Sequence, residues 1–151
     1  MQTNSINYNK LSNYALLGLR IVLVLIFLYH GVPKAIFWTA ASEKFIGFGL
    51  PGFLGPITGV AEVIASVLLL FGRFWKTTNL ILIFIIAGAI ATVQIPKIVA
   101  DPAKLANLDI AGLERDLLIL FGHITLLAFP PRQRAGVKQS FAYQERSKVK
   151  Q

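Results

Sequence analysis

Four apolar runs, at about residues 14–32, 54–71, 77–95 and 113–130, constrain this chain more than anything else in it. A helix crossing the hydrocarbon core needs about 20 such residues. Lipid offers the backbone no water to bond, so each run must satisfy its own N–H and C=O groups, as a helix does. The runs are too continuous for the strands of a membrane barrel, which alternate over about 10 residues. Hydrophobic residues make up 55% of the 151 and charged residues 15%, whereas soluble domains carry about 25% charge. The expected fold is all-α: an integral membrane antiparallel four-helix bundle over 14–130, with a short arm (1–13) before it and a basic tail (131–151) after it. The chain has no cysteine. Disulfides, thiol catalysis, iron–sulfur clusters, zinc ribbons and c-type haem therefore drop out.

The net charge of +8 takes its meaning from its distribution. One side of the bundle holds the arm, the second loop and the tail, with nine Lys and Arg against one acid, Glu145. The other side holds five bases and five acids. The positive-inside rule places the basic side, and both termini, in the cytoplasm. The partner it implies is the lipid bilayer with its anionic headgroups. Nucleic acid is excluded, because no aromatic platform accompanies the charges. Thr39-Ala40-Ala41 resembles a signal-peptide cleavage site, but it lies too far beyond the first run, which Arg20 interrupts. That run is expected to stay in place as a span.

The loops differ. Gly72-Arg73-Phe74-Trp75-Lys76 is a tight turn that makes spans two and three antiparallel neighbours. The first external loop, 33–53, is long and aromatic. It predicts a short helix lying in the interface, ended by Gly49 and Pro51.

Charged side chains inside a membrane are costly, so they face protein and find partners. Arg20 in span one and Glu62 in span two are expected to pair, as a clamp or as part of a proton or ligand site. Glu62 lies on a stripe of small and polar residues, Gly55, Thr58, Gly59, Ala65 and Ser66, which lets backbones approach closely. Asp116 and His123, seven residues apart, fall about 20° short of two full turns and so share one face of span four. Arg20, Glu62, Asp116 and His123 together form the expected buried polar cluster. His30, Lys34, Gln94 and Glu114 form an expected outer mouth. No metal site is expected, because no His/Asp/Glu pair has ligand spacing. Haem held by His30 and His123 is also excluded, since their heights differ by roughly 13 Å at 1.5 Å per residue.

These residues resemble the DoxX family of small bacterial and archaeal membrane proteins. The resemblance rests on Arg20 within LLGLRIVLVLIFLYHG, His30-Gly31, Lys34, Phe45, Gly49-Leu50-Pro51, and Gly59-Val60-Ala61-Glu62-Val63. It continues through Leu68-Leu69-Leu70-Phe71-Gly72 and Glu114 ahead of DLLILFGHITLLAF. The chain departs at Ala128-Phe129-Pro130-Pro131-Arg132, where the family often has glycines and a Ser-Leu-Asp-like ending. The resemblance implies a four-span bundle in the bacterial cytoplasmic membrane. It also implies an accessory subunit of a quinone-linked redox or oxidative-stress system, with quinone as the cofactor to consider. A redox protein or a second copy of the chain would be its partner. Whether it is an enzyme stays open. A small transporter or permease using the same cluster, and a scaffold with no ligand, are the rival readings.

Overall fold

The computed structural model describes residues 8–106 and 110–130. The first seven residues, 107–109 and the basic tail expected over 131–151 lie outside the described residues. Every regular element described is helical.

Helix α1 (Tyr8–Ile36) has 29 residues and is about 43 Å long at 1.5 Å per residue. It begins inside the expected arm. Pro33 falls in its last turn; Phe37 N still donates to Pro33 O at 2.8 Å, and the chain leaves the helix at Phe37 (φ −96°, ψ 70°). Helix α2 (Trp38–Gly47) follows at once, where the interfacial helix is expected. Gly49, at φ +76°, ends it. Its N–H bonds Ile46 O at 2.9 Å, and Leu50 N–H bonds Phe45 O at 3.0 Å. This pair of bonds closes a helix through one left-handed residue, which glycine adopts without strain.

Helix α3 (Leu54–Leu70) ends in the same way at Gly72 (φ +68°). Phe74 is also left-handed (φ 49°, ψ 44°) before α4 (Trp75–Ala89) begins. The two left-handed residues reverse the chain within four positions, so α3 and α4 are antiparallel neighbours as expected. Helix α4 runs through a π turn (Ile90–Gln94) into α5 (Ile95–Ala100), one rod longer than the expected third span. A single helical turn, α6 (Ala103–Ala106), precedes α7 (Ala111–Ala128).

The bundle closes as a ring: α1 packs on α3, α3 on α4, α4 on α7 and α7 on α1. Its core holds Leu23, Val24 and Phe27 of α1, Ala65 and Leu69 of α3, Leu82 and Ile86 of α4, and Ile119 and Leu126 of α7. The outside is as apolar as the inside. Leu25, Tyr29, Ile64, Phe84, Leu118 and Phe121 are all exposed, a surface that suits lipid and not water. Ser12–Ile36 and Trp75–Ala100 are each long and apolar enough to cross a membrane, and α3 is a shorter apolar helix.

Lipid gives helices no hydrophobic reason to associate, so close packing must supply it. The α1–α3 seam does this with glycine. A methyl at Gly59 would lie 2.5 Å from Lys34 Cβ, and one at Gly31 would lie 2.8 Å from Glu62 Cβ. At Gly55 it would overlap Ala41 O, where α2 packs on α3. The small-residue stripe of span two is thus a packing seam.

Candidate functional site

The same seam positions the first polar centre. Gly31 and Lys34 lie one turn apart on α1, and Gly59 and Glu62 one turn apart on α3. The helices run oppositely, so each glycine faces the other helix's charged residue. The gap that the missing side chains leave brings Lys34 Nζ to Glu62 Oε1 as a hydrogen-bonded ion pair. Glu62 is 3% exposed, and its Oε2 is buried with no partner. The Lys34 side chain keeps 25% exposure, which leaves its ammonium access to the outer end of the bundle.

A second centre lies at that same end. Asp116, the first buried residue of α7, accepts from Gln94 Nε2 at 2.6 Å and from Arg115 Nε at 2.9 Å. Gln94 closes the π turn. The extra residue of such a turn swings the side chains beyond it around the helix axis, and π turns recur at functional sites. Gly112 gives the amide its room, since a methyl there would sit 2.8 Å from Gln94 Oε1. His30 is exposed, with its ring edge-on to Tyr29. The charges of Arg115, Lys34, Asp116 and Lys44 lie within electrostatic reach of it. The residues expected at the outer mouth fall at this one end of the bundle. It gathers His30, Lys34 and Gln94, and adds Glu62, Asp116 and Arg115. Glu114 is exposed beside it.

The expected four-residue cluster does not form. Arg20 is not Glu62's partner. The Arg20 guanidinium donates to Leu70 O and lies 5.8 Å from the Trp75 ring centre. The physical reason is depth. Glu62 lies level with Gly31, and Arg20 is eleven residues earlier on α1, about 16 Å away along the axis. The apolar run starts at about residue 14, but α1 begins at Tyr8 and extends past the end of α3, which puts Arg20 at the α3–α4 turn. Asp116 and His123 do share the buried face of α7, but seven residues separate them by about 10 Å and they have different partners.

His123 forms a centre of its own. It is fully buried, and its Nδ1 is 2.9 Å from Asn79 Oδ1. Asn79 Nδ2 donates to Trp75 O at 2.8 Å, so Oδ1 is the accepting end and His123 Nδ1 carries the hydrogen. Nε2 then presents a lone pair, buried without a partner. Phe27 stands edge-on to the ring at 5.3 Å.

The sequence reading pairs neither Lys34 with Glu62 nor Asn79 with His123. For Lys34, the signal was there: a glycine three residues before a charge on each of two antiparallel spans. For Asn79, the signal is an amide at the start of the third span, just before the apolar stretch from Leu80 to Ala91. It is weaker, because nothing in the sequence says which face the amide takes.

A family model described as DoxX matches residues 15–95, just over half of the chain. The match takes in Lys34, Glu62, Asn79 and Gln94, and stops before Asp116 and His123. A protein of Bacillus subtilis (strain 168) named "Putative oxidoreductase CatD" is 30% identical over 87 residues, 58% of this chain. The matched region spans 65% of that protein, under two thirds of its length. No solved structure matches the chain.

Proposed function

The chain belongs to the DoxX family, and from that membership we propose that this membrane protein is an accessory subunit of a quinone-linked redox or oxidative-stress system. It sits in the bacterial cytoplasmic membrane with both termini inside, and engages a quinone head at its outer polar end. The relative whose name contains "oxidoreductase" supports the redox part of the reading. The observation that carries the site is the Glu62 carboxylate: one oxygen held by Lys34, the other buried and unpartnered.

A quinone head fits that donor set. Its carbonyls only accept hydrogen bonds, and the Lys34 ammonium has three N–H donors with one engaged by Glu62. Bound there, a quinone would take two electrons from a redox partner and two protons. Lys34 would orient a carbonyl through a charge-assisted bond. Glu62 would hold or pass a proton at Oε2, and Asp116, steadied by Gln94 and Arg115, would serve as a second carboxylate at the same end. His123 is sealed inside the bundle, so recognition is assigned to the outer end and His123 to the packing of α4 on α7.

Titration of the purified protein with a soluble quinone analogue tests this. Lys34→Gln should weaken binding at least about tenfold, the loss of one charge-assisted bond, while His123→Leu should leave it unchanged. Loss with His123→Leu alone would move the site to the interior. No binding by the wild type would remove the quinone and leave the transporter and scaffold readings in front.

A further inference from the structure

Among the described residues the charge of Arg20 has no anion beside it. Nη2 donates to Leu70 O, one of the last carbonyls of α3. Nε is buried with no partner. Nη1 lies beside the α3–α4 turn, 3.5 Å from where a methyl on Gly72 would sit. A carbonyl and the Trp75 ring stabilise a cation without neutralising it. Arg73 and Lys76, on and next to the same turn, are exposed, and among the described residues neither they nor Arg20 forms an ion pair. Every described acid, Glu43, Glu62, Asp101, Glu114 and Asp116, belongs to the opposite half of the bundle.

The turn also sets the depth. Residues 71–74 break the helical ladder, and irregular backbone that faces lipid belongs at the headgroup level. Phe71 and Phe74 are exposed around it, with Trp75 beside them, as aromatic rings are at that level. Lipid phosphates are the anions that a bilayer supplies at that level.

We propose that the cationic surface where α1 meets the α3–α4 turn holds the phosphate of an anionic phospholipid, with Arg20 as its principal donor and Arg73 and Lys76 completing the charge. The guanidinium is planar and held from behind by Leu70 O and Trp75. With Nε buried and Nη2 engaged by Leu70 O, the hydrogens left for phosphate oxygens are those of Nη1 and the second hydrogen of Nη2, on one edge of the planar group. The site is separate from the outer polar end and does not depend on what binds there.

Trp75 supplies the test. In a Trp38→Phe background of the full chain it is the remaining tryptophan. Its fluorescence is read in phosphatidylcholine bilayers containing a small fraction of brominated lipid, either phosphatidylglycerol or phosphatidylcholine. Quenching should favour the brominated phosphatidylglycerol by about fivefold for each contributing cation. Arg20→Gln should lower the preference by about fivefold. Arg73→Gln with Lys76→Gln should lower it in part, which keeps the test available if Arg20→Gln does not fold. Inorganic phosphate should displace the preference no more than chloride at equal ionic strength. Equal quenching by the two lipids, a preference unchanged in both variants, or specific displacement by inorganic phosphate would each overturn the proposal.

Discussion

Replacing Lys34 by glutamine leaves the Glu62 carboxylate, 3% exposed, without its cation. Two outcomes compete. The carboxylate can stay charged, and breaking a buried pair in this way typically costs about 3–5 kcal/mol. Or it can take a proton. From the ordinary glutamate value of about 4.3, that costs about 3.7 kcal/mol at pH 7, at about 1.36 kcal/mol per pH unit. The cheaper route sets a ceiling, so Lys34→Gln should destabilise the bundle by up to about 3.7 kcal/mol. The reverse change, Glu62→Gln, is milder. The Lys34 side chain is already 25% exposed and can swing its ammonium to the interface, leaving a loss of about 1 kcal/mol. The double variant should cost far less than the two single losses together. Acidity separates this account from a loss of packing. If the stranded carboxyl folds protonated, the folded state of Lys34→Gln binds a proton that the unfolded chain lacks at pH 7, so its stability rises as pH falls. At pH 5 the deficit should shrink to about 1 kcal/mol. Denaturant unfolding in detergent micelles, for the wild type, both single variants and the double, measures all of this. A deficit that is flat between pH 7 and 5, with single effects that add within about 0.5 kcal/mol, would refute the pair. The Arg20→Gln and Glu62→Gln cycle should be additive, because those two side chains do not meet.

Three further outcomes follow from the same geometry. Gly59→Ala should open the α1–α3 seam and cost about 1–3 kcal/mol, because the new methyl would lie 2.5 Å from Lys34 Cβ; Gly88→Ala, with nothing within 4 Å, should cost nothing in the same unfolding assay. His123→Leu should cost about 1–3 kcal/mol by leaving Asn79 Oδ1 buried and unpaired, and Asn79→Leu added to it should recover part of that loss. A reporter active only outside the cytoplasm, fused after Gln151, should be silent, and strong activity would reverse the orientation read from the basic residues.

Fold class was legible because it rests on periodicity and length. Each run had to be a helix once its residues belonged in lipid. The turns were equally plain where chemistry is local: Gly49 and Gly72 take left-handed conformations that the sequence places at helix ends. The stripe Gly55, Thr58, Gly59, Glu62, Ala65, Ser66 is legible as one inward face, and all but the half-buried Thr58 are buried. Partnership was not. Whether Glu62 meets Arg20 or Lys34 depends on how far α1 slides along α3. That register is set by which glycines nest against which backbone, a contact between residues about thirty positions apart. A slide of three turns changes no residue's helical preference, yet it sends Arg20 to the α3–α4 turn and Lys34 to the carboxylate. In the same way, Asn79 and Gln94 became partners of His123 and Asp116 only when α4 packed on α7 and the π turn brought Gln94 round to the acid. The sequence by itself determined that polar groups would be buried in this bundle, because lipid tolerates them nowhere else. The tertiary structure alone decided which groups meet, because the inter-helix distances that pair them are written in no single helix.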